Sequence, residues 1–475
     1  MKRIILGISI ILCLAGLAAS QRPREIEGDI KKLGEKFAIA VPDFRGSGDA
    51  QRFMSTFNSA LWNELQNSGQ LKLLPKTFYP LQVPQQPSDF HEPIGGRSQG
   101  PWLTDWSGPP VNATHLAFGY TAIQNNQIVL YGWLYGVTQP NISSAQLFGK
   151  VYLGSPDEAG ARKVAQDFAA DILKQFGAVS LAGSKIYFVS DRTGSKEIWS
   201  MNYDGSDQKP FTAYRSITTF PAVSADGSKI AFTTYPVLAS SRTADRLRSN
   251  VAQTSPNLGQ PQIFVHSLAT GRKLPYYNQQ ASMNAASDFM PDSRHLLIYS
   301  TASGGYSQIY VTDADGSDIK RVSHSGALDV EPKVNPKTGH DLVFVSGRGG
   351  TPQVYRMNID GTDVVRLTTG EGDAVNPAWS PDGQHIAFAW TRGFEPGNFN
   401  IFIMDVATRE ITVQCTHGAG RNENPSWAPD GTHLVFSRKS GRNTQIYTML
   451  ADGTGVQPLT TQGNNEKPVW AKGTQ

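Results

Sequence analysis

The stretch Asn376 to Trp390, which reads NPAWSPDGQHIAFAW, contains a unit that the chain repeats. Within it, Ser380-Pro381-Asp382-Gly383 combines a proline that fixes φ, an aspartate that can bond its own backbone and a glycine that tolerates a strained corner. The apolar, aromatic-rich run Ile386 to Trp390 follows, and such a run is typical of a strand buried on both faces. The unit is therefore predicted to be a strand, a tight turn and a second strand.

The same unit recurs along the second half of the chain. Further copies, some of them degenerate, occur at Phe220 to Phe232, Phe289 to Tyr299, Glu331 to Phe344 and Asn424 to Phe436. A second module lies between copies, and in it a strand such as Gln353 to Met357 runs into an Asp-Gly turn and a further short strand. Each full repeat is therefore predicted to contain four strands.

The number and order of the repeats favour a closed ring. Residues 184–475 divide into six units of about 49 residues, slightly above the roughly 40–45 of a four-stranded propeller blade. The array opens with second and third strands, at Ile186 to Ser190 and Glu197 to Met201, and ends with a lone first strand at Lys467 to Ala471. Because these ends can complete one blade, we predict a mainly β chain with a six-bladed β-propeller at 184–475. Two or three separate β-sandwiches are the alternative, but they would leave the last strand unpaired.

A small α/β domain with two helices is predicted at 37–180, ahead of the propeller. Its strongest strand candidates, His115 to Ile123 and Gln127 to Val137, are joined by Asn125-Asn126, a favourable hairpin turn. Ser155 and Glu158 resemble a capping box and predict the start of the second helix.

The first twenty residues have the pattern of an export signal. Lys2-Arg3 precedes an apolar run, and Ala18-Ala19-Ser20 is a small-residue site at which a signal peptidase could cut. A transmembrane anchor is the alternative, but the apolar run is shorter than the about 20 residues needed to span a bilayer. We therefore expect a cleaved signal peptide at 1–20, cut near Ser20, followed by a flexible tail at 21–36.

Composition excludes several classes of function. The chain has 43 Lys and Arg against 40 Asp and Glu, so no polycationic surface is implied and nucleic acid is not an expected partner. The two cysteines are Cys13 and Cys415, and removal of the signal would leave Cys415 as the sole thiol. The mature protein is then expected to lack disulfides.

The motifs for catalysis and metal binding are weak. Gly96 to Gly100 matches the G-x-S-x-G nucleophile pattern, but it lies in a Pro-rich stretch without the strand and helix that a nucleophile elbow needs. The nine histidines form no H-E-x-x-H motif, and the Asp-Gly pairs lack the spacing of a calcium loop. We predict no catalytic residue, no cofactor and no metal site.

Three segments are candidates for binding a partner. The first is the polar tail, and the second is the long loop Val237 to Pro261. The third is a rim of polar residues at the start of the predicted inner strands, which should converge around one mouth of the ring. The members of this rim are Thr219, Asn284, Asp329, Glu331, Asn376, Asn422, Glu423, Asn424, Asn465 and Glu466. Each segment has a structural alternative: a frayed terminus, an insertion without function, and residues that only cap strand ends.

These features together resemble the TolB family. The resemblance rests on the signal peptide, the small α/β domain, the repeats of the form N-P-x-W-S-P-D-G-x-x-I-A-F, and Ala60 to Leu74, which reads ALWNELQNSGQLKLL. It covers essentially the whole mature chain. The SPDG repeat alone also occurs in the propellers of prolyl-oligopeptidase-type peptidases, but we expect no hydrolase domain after the ring.

The resemblance implies a non-enzymatic, monomeric adaptor in the periplasm, peripheral to the membranes through its partners only. It implies that the propeller binds the lipoprotein Pal and that the amino-terminal tail binds TolA, in a complex that maintains outer-membrane integrity and acts in constriction at division. The tail residues that would contact TolA are Gln21, Arg22, Arg24, Glu25, Ile26 and Ile30. The alternative function is a propeller receptor or peptidase-related protein that binds a periplasmic peptide or small ligand.

Overall fold

The computed structural model describes residues 37–235, 259–418 and 420–473. The predicted signal peptide, the predicted tail and most of the loop Val237 to Pro261 therefore lie outside the described residues. None of the described helices is long and apolar enough to span a bilayer.

The amino-terminal region is a six-stranded mixed sheet with its two long helices on one face. The strands are β1 (Phe37–Ala40), β2 (Arg45–Gly46), β3 (Leu71–Leu73), β4 (His115–Gln124), β5 (Gln127–Gly136) and β6 (Gln146–Gly154). The helices are α1 (Met54–Asn67), α2 (Leu103–Ser107), α3 (Ile142–Ala145) and α4 (Glu158–Gln175), with 3-10 turns at Gly48–Phe53, Lys76–Phe78 and Pro87–Asp89. The sheet order is β3-β1-β4-β5-β6, with β2 against β4.

Both faces of this sheet are packed. Helices α1 and α4 cover one face, where Gly132 of β5 leaves room for the ring of Phe168, since a Cβ at Gly132 would lie 2.8 Å from that ring. The Pro-rich segment covers part of the other face through Phe90 and Trp106. Both residues of the Asn125-Asn126 turn have positive φ, as the predicted hairpin requires. The predicted capping box is wrong, because Asp157 and not Ser155 accepts the backbone N–H of Gly160 at the start of α4.

Six four-stranded antiparallel sheets follow and confirm the predicted propeller. We number the blades I to VI by their inner strands, which are Thr218–Val223, Asn284–Phe289, Asp329–Val334, Ala374–Trp379, Arg421–Trp427 and Asn465–Ala471. The second strands are Lys229–Thr234, His295–Ser300, Asp341–Ser346, His385–Trp390, His433–Ser440 and Lys185–Ser190. The third strands are Gln262–Ser267, Gln308–Asp313, Gln353–Asn358, Asn400–Asp405, Asn443–Leu450 and Glu197–Asn202. The fourth strands are Lys273–Leu274, Lys320–Arg321, Val365–Arg366, Ile411–Gln414, Gln457–Pro458 and Lys209–Pro210.

Blade VI joins two distant parts of the chain. Its inner strand pairs with Lys185–Ser190, so that Trp470 lies opposite Ile186. The indole Nε1 of Trp470 donates to Ser184 Oγ at 3.0 Å, and Lys196 Nζ donates to Glu466 Oε1 at 2.5 Å. The ring is therefore held at this blade by backbone pairing and by side-chain contacts that include a buried hydrogen bond and an ion pair.

A buried carboxylate connects the amino-terminal region to the propeller. Glu64 of α1 is 3% exposed and accepts hydrogen bonds from Ser180 Oγ, at 2.7 Å, and from the hydroxyl of Tyr203. Ser180 lies in the segment that leads from α4 into the ring, and Tyr203 follows the third strand of blade VI. Burial raises the pKa of Glu64 despite these hydrogen bonds, because the charged form loses solvation.

This junction predicts a pH-dependent stability. Since the folded-state pKa of Glu64 lies above its unfolded value, its favourable contribution is complete below pH 4.5 and is lost as the pH rises through the folded pKa. Glu64→Gln keeps a side-chain oxygen for Tyr203 but cannot ionise. We expect the free energy of unfolding of Glu64→Gln, relative to the wild type, to rise between pH 4.5 and 8 by about 1.4 kcal/mol for each unit of pKa shift.

Urea unfolding at the two pH values measures this difference. Glu92→Gln is the matched control, because Glu92 is exposed in the same region, and it should show no such change. An equal effect of Glu64→Gln at both pH values would contradict the account of the junction.

Candidate functional site: one mouth of the propeller channel

The six inner strands share a bulge near the point where they enter the ring. In five blades the residue before a proline has a positive φ of 52° to 54°, a left-handed conformation that is uncommon for residues other than glycine. These residues are Phe220, Glu331, Asn376, Asn424 and Lys467. Blade II has no such proline, and its register shifts between Ala286 and Asp288. Because a bulge changes the direction of the side chain it carries, the side chains of these five residues do not point where they would in a regular strand.

These bulges surround a cavity in the centre of the ring. The cavity has a volume of about 340 Å³ and is lined by all five left-handed residues, together with Ser287 and Asp288 of blade II. Its deeper wall contains Trp379, Trp427 and Trp470, and its far end is formed by the turns between inner and second strands. Every blade therefore contributes to one continuous channel.

One side of the channel mouth is a chain of hydrogen bonds across three blades. Glu331 accepts from the backbone N–H of Asn376 at 2.9 Å and from its Nδ2 at 3.0 Å. Asn376 Oδ1 accepts from the backbone of Asn424 at 3.3 Å, and Asn424 Oδ1 accepts from Ser437 Oγ at 3.1 Å. The acidic and amide side chains of blades III to V thus hold one another in place.

The mouth has opposite charges on opposite blades. Lys467 of blade VI lies three blades from Glu331, and its Nζ lies 4.5 Å from the centroid of the Phe220 ring. Phe220 in turn meets the ring of Tyr299 edge-on at 5.9 Å. Burial, with a smaller contribution from the Glu331 carboxylate, raises the pKa of Tyr299, so its hydroxyl stays protonated near neutral pH.

A second acidic group lies deeper in the channel. Asp288 keeps partial contact with solvent, yet protein atoms surround it, and this burial raises the pKa of its carboxyl. Its Oδ2 accepts from the backbone of Val334 in blade III at 3.0 Å, and Lys333 opposes the shift and donates to the carbonyl of Ser287. These contacts join blades II and III.

The structure separates the ten predicted rim residues into five that are accessible from the mouth and five that are buried. Three of them, Glu331, Asn376 and Asn424, line the channel, while Glu423 and Glu466 are partly exposed beside it and pair with Arg421 and Lys196 at 2.5 Å. The other five are at most 7% exposed, and they are Thr219, Asn284, Asp329, Asn422 and Asn465. As placed, these five side chains are not available to a partner.

Four of the buried rim residues bond within their own blades. Ser300 Oγ donates to Asn284 Oδ1 at 2.7 Å in blade II. In the other three blades an arginine donates to the side chain at the corresponding position. Arg348 Nη2 lies 3.0 Å from Asp329 Oδ2 in blade III, and Arg438 Nε donates to Asn422 at 2.7 Å in blade V. In blade VI, Arg192 donates to Asn465 at 3.3 Å. These four residues fit the alternative to partner binding, in which rim residues only cap strand ends.

The arginine positions were missed in the sequence. Arg192 and Arg348 follow the second strands of their blades, in Ser-Asp-Arg and Ser-Gly-Arg, whereas Arg438 lies within its second strand, in Ser-Arg. An arginine one or two residues after this serine is a usable signal. Each guanidinium also lies over an aromatic ring of the same blade, at 4.2 Å for Arg192 on Trp199 and 4.7 Å for Arg438 on Tyr447. These arginines therefore fasten inner strands to their blades from the mouth side.

An apolar arc at the same end of the ring was also missed. Ile217 and Leu328 directly precede the inner strands of blades I and III, and they are 52% and 39% exposed. Tyr306, 62% exposed, lies in the blade II loop that follows Ser300 and precedes Gln308. The second strand of blade I, which precedes the loop Val237 to Pro261 in sequence, also ends here, because its last residue pairs with Thr218. The mouth thus combines a polar ring with an apolar arc.

The G-x-S-x-G match at Gly96 to Gly100 lies in an irregular segment of the amino-terminal region. Ser98 follows the tight turn at Ile94 to Arg97, and its hydroxyl donates to the carbonyl of Gly100 at 3.0 Å. No strand leads directly into this serine and no helix begins directly after it, so the elbow geometry is missing here. No group of three or more His, Cys, Asp or Glu that could hold a metal occurs in the described part of the chain.

Comparisons with known proteins point to one family. A family model described as the TolB beta propeller domain matches residues 235–470, about half of the chain. A Protein TolB homolog of Chlorobium luteolum is 33% identical over 315 residues, which are 65% of this chain and 54% of that protein. The Tol-Pal system protein TolB of Bordetella pertussis is 26% identical over 330 residues, 69% of this chain and 65% of the relative. The chain spans about half the length of the Chlorobium relatives that it matches.

One solved structure shares the fold over nearly its whole length. The crystal structure of TolB from Acinetobacter baumannii superposes with a TM-score of 0.71 and covers 92% of this chain and 96% of that one, at 20% identity. The likeness therefore extends to both the amino-terminal region and the ring.

The buried ion pair of Asp329 and Arg348 in blade III tests whether the buried rim residues stabilise the fold. Arg348→Met leaves the carboxylate of Asp329, 0% exposed, with only the hydroxyl of Ser325 as a side-chain partner at 2.7 Å. We expect a loss of about 2–3 kcal/mol in the free energy of unfolding, measured by urea denaturation, because an unpaired buried charge is costly. Glu466→Gln, which breaks the exposed pair with Lys196, should cost about 1 kcal/mol or less. Equal losses would contradict a structural role for Asp329.

Proposed function

This chain belongs to the TolB family, and we propose that it is a periplasmic adaptor of the Tol-Pal system that binds protein partners at two separate places. The observation that carries the proposal is the convergence of six inner strands on one mouth. There the polar ring of Glu331, Asn376, Asn424 and Lys467 lies beside the exposed apolar arc.

We propose that the mouth binds Pal. Protein interfaces combine a few apolar or aromatic anchors with a polar rim, and the arc of Ile217, Tyr306 and Leu328 next to the ring supplies both. The left-handed backbone before each proline supports a binding role as well, because strained residues concentrate at ligand sites. The exposed acids Glu423 and Glu466 would form the edge of this surface.

We propose that the amino-terminal tail binds TolA. The tail residues Gln21, Arg22, Arg24, Glu25, Ile26 and Ile30 precede β1 and lie outside the described residues. In this proposal the signal peptide directs export and is removed near Ser20, and contact with membranes occurs only through the partners.

A binding role suits the channel better than a catalytic one. Three of its charged groups are engaged by neighbouring protein groups, with Glu331 on Asn376, Asp288 on Val334 and Lys333 on Ser287. A general acid or base needs a free approach to substrate, which groups engaged in this way lack.

A second candidate function is a receptor for a small periplasmic ligand. The cavity volume of about 340 Å³ falls at the low end of the range for small-molecule sites. A small ligand would occupy the channel between the tryptophans, whereas a protein partner would also cover the apolar arc. Variants outside the channel therefore separate the two functions.

Charge reversal at the mouth tests Pal binding. The double variant Glu423→Lys/Lys467→Glu keeps the net charge but inverts two positions in and beside the mouth. We expect calorimetry with the periplasmic domain of Pal to show an affinity about 30-fold lower or worse, since a contact of this kind is worth on the order of 2 kcal/mol.

The matched control is Glu410→Lys/Lys337→Glu, whose residues are exposed at the opposite end of the ring and do not line the cavity. It should bind as the wild type does. Wild-type affinity in the mouth variant, with unchanged melting temperature, would place the Pal surface elsewhere.

Deletion of residues 21–30 tests TolA binding. The deleted residues lie ahead of β1, so melting and Pal affinity should not change. We expect the affinity for the periplasmic domain of TolA, measured by the same method, to fall about tenfold or more, because the deleted residues are the proposed binding peptide. Equal TolA affinities of the full and shortened chains would rule out the tail as the TolA site.

A further inference from the structure

The amino-terminal sheet has one open edge. Strand β6 pairs with β5 on one side, and among the described residues no strand pairs with its other side. Alternate side chains of this nine-residue strand are exposed, with Leu147 at 38%, Val151 at 55% and Leu153 at 51%. A long edge of this kind is a template for adding another strand.

This edge lacks most of the features that normally protect one. Proteins block edges with charges, prolines, bulges or covering loops. The register of β6 shifts once, between Gln146 and Phe148, but the strand contains no proline and a single charged residue, Lys150. Lys150 points to the helix side, where its Nζ contacts Asp171 Oδ1 of α4 at 2.8 Å. The opposite face of the edge, with Leu147, Val151 and Leu153, is uncharged.

We propose that a second copy of this chain adds to β6 in antiparallel register, with Val151 of one copy facing Val151 of the other. The two-fold relation then places Leu153 opposite Gly149 of the second copy. Gly149 lies directly under Trp133, since a Cβ there would come within 2.4 Å of the indole ring. Leu153 of each copy therefore gains apolar contact with the partly exposed Trp133 of the other.

Charge on the helix side selects this register. Lys150 comes to lie opposite Tyr152 of the second copy, and Tyr152 donates to Asp171 Oδ2 at 2.7 Å. Each Lys150 thus approaches the Asp171 of the other copy, and two lysines and two aspartates form a group without net charge. A register centred on Lys150 would instead place two lysines opposite each other, which is unfavourable.

The size of the patch sets the strength of the pairing. Three side chains exposed by about half or less bury far less than the roughly 800 Å² per partner of a stable dimer. Association is therefore weak and depends on protein concentration. In dilute solution the chain is a monomer, as the sequence analysis expects. Self-complementarity of backbone, shape and charge favours a second copy over an unrelated strand as the occupant.

A disulfide across the two-fold axis tests the register. Val151→Cys, in a Cys13→Ser background, places two thiols directly opposite each other, within reach of the Cβ to Cβ separation of a disulfide. Leu153→Cys is the matched control, because it lies on the same face with similar exposure but would face Gly149. The remaining Cys415 is 3% exposed, and burial raises the pKa of its thiol, so it should not react.

We expect mild oxidation at high protein concentration to give about tenfold more linked dimer with Val151→Cys than with Leu153→Cys, because disulfide geometry tolerates little displacement. In sedimentation experiments, Val151→Lys should weaken self-association of the otherwise wild-type chain. Equal linkage in the two cysteine variants, or none in Val151→Cys, would overturn the proposal. So would sedimentation of Val151→Lys that matches the wild type.

Discussion

The pairing of Asn465–Ala471 with Lys185–Ser190 is the interaction on which the ring depends. It brings together segments separated by about three fifths of the chain. The described part of the chain contains one cysteine, Cys415, which is buried and free, so backbone pairing and side-chain contacts hold this blade. The indole of Trp470, the ion pair of Glu466 and the hydrogen bond of Asn465 all lie on this one strand. A channel with six contributing blades exists only while that strand remains in place.

The inner strands both build the ring and form the mouth. Residues along one inner strand therefore differ in their surroundings. The first residue of an inner strand is buried against its own blade, as Asp329 is against Arg348. Two residues later the bulge turns Glu331 toward the channel, where it contacts Asn376 of the next blade. Buried and channel-facing side chains thus alternate over three residues, and neighbouring blades contact one another through the channel-facing ones.

The sequence predicted the architecture well because turns and strands carry local signals. Ser380 to Gly383 and the apolar run after it are enough to identify a repeat, and Asn125-Asn126 is enough to identify a hairpin. The site was harder to predict, because Asn422 and Asn424 are the same residue type two positions apart, and only the bulge that begins at Asn424 decides which one is buried. The cap of α4 was misassigned for a similar reason, since Ser155 and Asp157 both suit a helix start and backbone geometry selects Asp157.

We propose that partner binding occurs at the mouth where the inner strands begin. Hydrogen exchange of the full chain, compared with and without a saturating amount of the periplasmic domain of Pal, tests this claim most directly. The account predicts slower exchange at the starts of the inner strands and in the loops before them, as at residues 215–220, 326–331 and 421–424. It predicts no change in the turns at the opposite end, such as residues 380–384. Protection confined to those turns, or to the amino-terminal sheet, would contradict it.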